Sequence, residues 1–353
     1  MYKTNSIRYR MPAEWEPHKA TWLTWPHNPT DWPGKMSSVQ KIYAELTQKL
    51  AVVEEVHILV NSESHEMRAK RYLKQAQADI ANIHFYHIPT NRSWIRDYGP
   101  VFIADNRTKK SLKKIMRFRF NGWARYPVHQ KDDSVPLELA NRLNLKIISA
   151  KWKKIPLVLE GGSIDVNGFG TLITTEECLL DQNIQPRNPG ITKCELEELF
   201  RDLLGITNVI WLNRGIEGDD THGHIDDICR FVDSGTLVLA METNKSDLNT
   251  SILAENMERL EQVRIENGTR PTVVTLPMPK PIYYKKWRLP ASYANFYIAN
   301  NVVLVPIFND PADRKALGIL SDLFPTRDVI GVCAEDLLIG LGGIHCITLQ
   351  EPF

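Results

Sequence analysis

No stretch of this chain is apolar for long enough to cross a bilayer: the longest such runs, Val302 to Phe308 among them, have the length of buried strands. The start, Met1 to Glu14, lacks the apolar segment that a secretory leader needs. Cysteine is scarce. Cys178, Cys194, Cys229, Cys333 and Cys346 are odd in number and have no framework spacing, so reduced thiols in a cytoplasmic compartment are expected. An excess of either charge is missing too, since 43 basic residues face 42 acidic ones for a net charge of +1. Nucleic-acid binding would show as a clustered surplus of Lys and Arg. A short cluster such as Lys109 to Lys114 reads as a solvated hairpin tip. Neither a membrane nor a nucleic acid is therefore expected as a partner, and a homo-oligomer is neither required nor excluded.

The 353 residues are 43% hydrophobic and 24% charged, enough for a substantial core under an ordinary solvated surface. Within them a unit recurs. A hairpin, Ser163 to Leu180, precedes an amphipathic helix, Lys193 to Leu204, and a strand, Val209 to Leu212. The order returns as hairpin His224 to Ala240, helix Ser251 to Val263 and strand Thr272 to Leu276. It returns again as hairpin Ala294 to Phe308, helix Asp313 to Phe324 and strand Asp328 to Val332. Helical spacing of Leu196, Leu199 and Leu203, and of Leu317, Leu320 and Leu323, marks the buried helix faces. Asn167-Gly168, Asp233-Ser234-Gly235 and Asn300-Asn301 are residues that hairpin turns favour.

The first half fits less cleanly, with hairpin Arg96 to Phe120, helix Val135 to Leu143 and strand Lys146 to Ala150. Ala20 to Trp25, a helix around Val39 to Leu50 and the strand Glu55 to Val60 form a fifth unit short of one hairpin strand, which Ile344 to Leu349 can supply. The fold class is α/β. The reading that uses every element is a five-fold pseudosymmetric ring of strand-strand-helix-strand units, a single domain over 1–353; a plain α/β sandwich is the alternative.

Polar groups break the apolar pattern where hairpins begin: Asp97, Glu160, His224 with Asp226, Asn295, and His345 with Cys346. Carboxylates buried near a central axis are costly unless a cation pairs with them. A cationic ligand sitting between them is the simplest resolution.

Five segments carry a more specific signal: Met11-Pro12-Ala13-Glu14-Trp15-Glu16-Pro17-His18, Ser93-Trp94-Ile95-Arg96-Asp97-Tyr98-Gly99-Pro100, Leu159-Glu160-Gly161-Gly162-Ser163, Gly218-Asp219-Asp220-Thr221-His222-Gly223-His224-Ile225-Asp226-Asp227 and Gly342-Gly343-Ile344-His345-Cys346-Ile347-Thr348. In this order they resemble the agmatine deiminase family, part of the wider guanidine-modifying group with the five-bladed pentein fold, an α/β propeller. The resemblance runs from about Met11 to the C-terminus. Leu341, His222 and Leu349 depart from the family pattern, and none of them removes a catalytic group. The resemblance implies hydrolysis of a small cationic guanidine substrate, without cofactor or metal.

Residue by residue, Cys346 alone would be a buried structural cysteine, as Cys178, Cys194, Cys229 and Cys333 are read to be. Within its motif it becomes the expected nucleophile. A thiol has a reference pKa of about 8.5, and a guanidinium about 4 Å away contributes roughly 4 kcal/mol at an effective dielectric of about 20. That equals about 3 pKa units, so substrate can ionise its own nucleophile. His224 is the expected general acid and base. Asp97 and Asp226, otherwise turn or ion-pair residues, are expected to grip the guanidinium, whose planar fork matches carboxylates. Trp94 is either core or an aromatic wall for the cation. Glu160 is read with nearly equal weight as a substrate contact or as a prop of the Gly161-Gly162 turn; Asn295 is the weaker candidate for a substrate contact, with support of its hairpin as the alternative. Asp220, beside Glu217 and Asp219, offers an acidic rim for the primary amine of agmatine, against the alternative of a solvated capping loop. Peptidylarginine is the second substrate reading. Two further readings stand apart: a metallohydrolase built on His222, His224 and Asp226, and a non-catalytic pentein that binds a macromolecule.

Overall fold

Thr192 opens the helix Lys193–Leu204 with a capping box shared with Glu195, and Gly205 ends it in the left-handed conformation at φ +77°. The helix buries Leu196, Phe200 and Leu204, with Leu199 and Leu203 packed at the edge of the same core. Each such side chain contributes about 1.5–3 kcal/mol when fully buried. The structure, a computed structural model, describes residues 8–105 and 112–353. Lys109, Lys110 and Ser111 of the expected hairpin tip lie outside the described residues, while Leu112 opens the strand Leu112–Arg117.

Five sheets repeat one connection. Val101–Asp105 pairs antiparallel with Leu112–Arg117, which after the helix Gln130–Leu143 is joined in parallel by Ile147–Ser149. Asp165–Val166, Thr171–Thr175 and Asn208–Leu212 follow the same order around Lys193–Leu204. So do Cys229–Phe231, Thr236–Met241 and Thr272–Pro277 around Leu248–Gln262. Tyr297–Ile298, Val302–Ile307 and Asp328–Cys333 do so around Ala312–Leu323. In the fifth sheet His18–Thr24 pairs antiparallel with Thr348–Pro352 and, after the helix Met36–Leu50, in parallel with Glu55–Val60. The orphan C-terminal strand thus has its partner. Residues 302–306 are wholly buried, as a strand covered on both faces must be.

The structure alters the sequence expectation in three places. The hairpin starts are not strands: the polar residues occupy short helical turns just ahead of them, Ile95–Tyr98, Gly161–Ser163 and Ile225–Asp227. Two more turns are closed by Asn295 N donating to Ser292 O and Thr348 N to His345 O. The C-terminal strand accordingly begins at Thr348 rather than Ile344, because Ile344 to Ile347 are used in the turn. The first-half units also carry additions that the sequence reading omitted: Glu63–Gln75 and Ile83–His87 extend the fifth sheet, and Tyr9–Arg10 edges the first. Among the described residues no helix is long and apolar enough to cross a membrane.

Candidate active site

A turn can present several side chains toward one point where a strand would send alternate ones to opposite faces. Five turns do this here. Asp97 Oδ1 accepts from Gly162 N at 3.0 Å and Asp97 Oδ2 from Trp123 Nε1 at 2.9 Å. Gly162 has to be glycine, because a Cβ would stand 2.7 Å from Asp97 Oδ1 and 2.7 Å from His224 Nδ1. Gly343 is equally constrained, with Asn295 Oδ1 only 2.4 Å from where its Cβ would lie.

Cys346 and His224 are both buried. Asn295 Nδ2 donates to Cys346 Sγ at 3.3 Å, and the thiol lies 3.7 Å from Asp226 Oδ2. The His224 ring sits between two carboxylates, with Nδ1 3.7 Å from Asp97 Oδ1 and Nε2 3.7 Å from Glu160 Oε2. Neither ring nitrogen makes a hydrogen bond, and Asp226 Oδ1 has none either. Buried polar atoms are ordinarily paired, and these three stand out from that rule at one point of the protein.

The charges are strongly coupled. Burial disfavours a charged His224, but Asp97, Cys178 and Glu160 together outweigh it and the pKa rises well above the ordinary value. Burial raises Asp97 to about 6, with Asp226 and Glu160 adding to the effect and His224 opposing it. Burial also pushes the Cys346 thiol well up, and the charges of Asp226, Asp227 and Asp97 push it further. Asp226 is held below the usual carboxylate range despite its burial, by the hydrogen bond and charge of His345. Asp227 is driven well up by burial and by Asp226.

Of the residues expected from sequence, Cys346, His224, Asp97 and Asp226 converge. A small cavity, about 30 Å³, opens onto Cys346 and Asp97, walled by Trp94, Trp123 and Tyr126 with Asp220 at one side. Trp94 stacks on Trp32 at 5.1 Å and meets the edge of Trp123 at 6.0 Å. Glu160, Asn295, His224 and Asp226 do not line that cavity; His224 stands behind Asp97 at 3.7 Å and Asp226 behind Cys346 at 3.7 Å. Glu160 takes both oxygens to Arg187 Nε, at 3.0 and 3.3 Å, and the guanidinium holds it down at about 2 against its burial. Asn295 spends its amide on Asp227, Cys346 and the His345 N–H.

The acidic rim also needs correcting. Asp219 turns inward and accepts from the backbone of Thr221, Gly223 and His224, which is the capping alternative. Glu217 does not line the cavity. Asp220 does, but its Oδ2 accepts from Tyr126 Oη at 2.6 Å, its Oδ1 lies 3.4 Å from Arg125, and Arg92 stacks over the Tyr126 ring at 4.3 Å. Both signs of charge therefore stand at the mouth.

The triple of His222, His224 and Asp226 does not form. His222 points its Nε2 to Asp181 at 2.7 Å, while His224 faces Asp97 and Glu160. Two other sets, Glu160 with Cys178 and His224, and Asp226 with Asp227 and Cys346, bring possible metal-ligand atoms within 4.8 Å of one another. In the first, Glu160 is already neutralised by Arg187.

Beneath the turns lies a buried ionic layer that the sequence reading did not identify. Glu14 Oε1 accepts from Arg230 at 2.9 Å and from Ile298 N at 2.9 Å; its Oε2 pairs with Arg96 at 3.1 Å and His345 Nε2 at 2.7 Å. His345 Nδ1 in turn meets Asp226 Oδ2 at 2.7 Å. Arg230 also bonds Asp165 at 3.0 Å. The segment Met11 to His18 was noticed as a motif, and this layer is the physical role of its Glu14. Partner charges so distant in sequence leave no local pattern.

Residues 10–352 match the model of the Porphyromonas-type peptidyl-arginine deiminase family. An agmatine deiminase of Pseudomonas aeruginosa (strain LESB58) is 35% identical over 370 residues, covering 98% of this chain and 95% of the relative. One of Ectopseudomonas mendocina is 35% identical over 367 residues, with 98% and 95% covered. A substrate-bound agmatine deiminase structure from C. jejuni superposes with a TM-score of 0.85 at 30% identity, covering 97% of this chain and 96% of that one. The Enterococcus faecalis agmatine deiminase gives 0.88 at 28%, covering 98% and 96%. An amidinotransferase from Microseira wollei shares the fold at 12% identity, with a TM-score of 0.51 and 97% and 96% covered. This chain belongs to the Porphyromonas-type peptidyl-arginine deiminase family, in company with these agmatine deiminases.

Proposed function

We propose that this enzyme hydrolyses the guanidinium group of agmatine to N-carbamoylputrescine and ammonia, through a covalent intermediate on Cys346. The observation that supports it best is the buried constellation of one thiol, one imidazole without hydrogen bonds and two carboxylates, Asp97 and Asp226, beside an aromatic-walled cavity. Asp97 and Asp226 hold the planar cation. Its charge favours the thiolate that burial and three aspartates otherwise suppress. Sγ attacks the guanidinium carbon, and His224, charged in the resting site, gives its proton to the departing ammonia. The neutral imidazole then takes one proton from the water that attacks the thiouronium carbon; the adduct expels the thiolate, and its remaining hydroxyl proton passes to solvent, which leaves the urea product and a charged His224. Glu160, held by Arg187, keeps His224 charged; Asn295 positions Cys346. In this reading the five sheets close into one ring in a single domain over 1–353, with the five turns at its centre, and the two exposed cysteines, Cys194 and Cys333, fit a reducing cytoplasm.

Asp220 is the group we assign to the primary ammonium. Ammonia release from agmatine, free arginine and a blocked arginyl peptide should be largest for agmatine. Asp220→Asn should lower kcat/KM for agmatine by about tenfold, the worth of roughly 1.4 kcal/mol, and barely change it for an alkylguanidine lacking the amine. Equal losses on both substrates would make Asp220 a prop of Tyr126; preference for the arginyl peptide would overturn the agmatine reading.

The pH profile supplies a separate check. Asp97 must be ionised to grip a cation, and its carboxyl titrates at about 6. Below that pH it gains a proton, so kcat/KM should fall on the acid side of about 6 and level off above it. Asp97→Asn should show low efficiency with no such limb. A wild-type profile flat from pH 5 to 8 would remove Asp97 from substrate binding.

A further inference from the structure

The parallel strands Glu55–Val60 and Ile83–His87 place His57 directly opposite His84. Side chains two apart on a strand share a face, so Glu55 stands beside His57 on the same side. The two imidazoles are 5.3 Å apart, ring centre to ring centre, at 78°, and Glu55 Oε2 lies 3.1 Å from His57 Nε2. One donor atom from each of the three falls within 4.8 Å of the other two. Glu55, His57 and His84 are absent from the lining of the active-site cavity.

The burial is graded: His57 is buried, Glu55 half-buried and His84 exposed, so the cluster is anchored on one side and open on the other. Nδ1 of His57 is buried with no hydrogen bond and looks toward Glu351 Oε2 across 3.8 Å. Glu351 is itself fixed, by Trp22 Nε1 at 2.8 Å on that oxygen and by Lys113 at 2.6 Å on the other.

We propose that Glu55, His57 and His84 form a binding site for a divalent transition-metal ion of the zinc type, with Glu351 orienting the His57 ring from behind. Two imidazoles and a carboxylate, with an open fourth position, are a donor set that suits such an ion. Ligand atoms about 2.0–2.1 Å from a tetrahedral zinc stand roughly 3.3–3.4 Å apart, and Glu55 Oε2 and His57 Nε2 already have nearly that separation. A carboxylate behind a ligating histidine is a usual means of fixing ring and tautomer. Ile83–His87 is the outer strand of its sheet. A bound ion would clip that edge to Glu55–Val60.

The test uses the full chain freed of metal, titrated with Zn²⁺ by calorimetry and with Co²⁺ by absorption. We expect one equivalent, a Co²⁺ spectrum with d–d bands and no thiolate charge-transfer band, and a melting temperature raised by Zn²⁺. His84→Ala and Glu55→Gln should each lose that equivalent and the thermal shift while keeping normal agmatine turnover. Absence of a stoichiometric equivalent, its retention in both variants, or a thiolate band that disappears in Cys346→Ala would overturn the assignment. Because binding is read independently of turnover, this result stands apart from the identity of the substrate.

Discussion

Replacing Cys346 by alanine should lower agmatine turnover by at least about 10⁴-fold while leaving the protein folded, since removal of a covalent nucleophile forfeits the whole chemical path. The folded state has little at stake in this side chain. Its sulfur makes only a 3.3 Å contact with Asn295 and a 3.7 Å contact with Asp226, and one lost sulfur leaves a small void. The carboxylates suffer less mutual pressure without a thiol to ionise among them. Ammonia release would be followed alongside circular dichroism, with Cys229→Ala as the comparison. Cys229 is also buried but lies on the strand Cys229–Phe231, so its variant should retain most activity. Near-normal ammonia release by Cys346→Ala in a folded protein would exclude the covalent route.

Glu14→Ala should be the most destabilising single change in the layer below the site, by about 3–5 kcal/mol. Glu14 is buried, and burial alone would raise its pKa, but Arg230, His345 and Arg96 together hold it well below the usual range. Truncation leaves two guanidinium groups without that partner and strips an acceptor from Ile298 N. It also frees His345 Nε2, and with it the orientation of Asp226. Activity should therefore fall further than the folded fraction does. The urea midpoint should drop with its slope unchanged. A loss under about 1 kcal/mol would mean that water or a shifted arginine replaces the carboxylate without penalty.

The sequence made the sheets readable because hydrophobic period and turn residues change together. Lys193–Leu204 was bounded correctly from its apolar spacing, and Glu55–Val60 from its apolar run. The expected helix Val135 to Leu143 is longer, Gln130–Leu143, and Pro136 lies inside it. Glu63–Gln75 escaped notice because only His65, Ala69 and Leu73 are buried on it. In the site, His224, Asp97 and Asp226 stand out as polar groups in an apolar pattern, whereas Cys346 is singled out from the other cysteines only by the motif that resembles the agmatine deiminase family. The partners that decide their behaviour do not stand out, since Glu14 is 82 residues from Arg96, 216 from Arg230 and 331 from His345. Glu160 and Arg187 are only 27 residues apart, but they too leave no helical or strand period that would pair them, and their bond gives Glu160 a partner within the protein.

The antiparallel pairing of His18–Thr24 with Thr348–Pro352 has a consequence for the order of events in the cell. A chain made from its N-terminus exposes His18–Thr24 long before its neighbour exists, and a contact this distant in sequence is slow to form even when both halves are present. Cys346 belongs to the turn that leads into that late strand. A chain not yet made to this point therefore lacks both Cys346, the residue we propose as nucleophile, and the strand that pairs with His18–Thr24. On that proposal the carboxylates of Asp97 and Asp226 and the imidazole of His224 are in the chain before the group that attacks, and the thiol arrives with the strand that pairs with His18–Thr24.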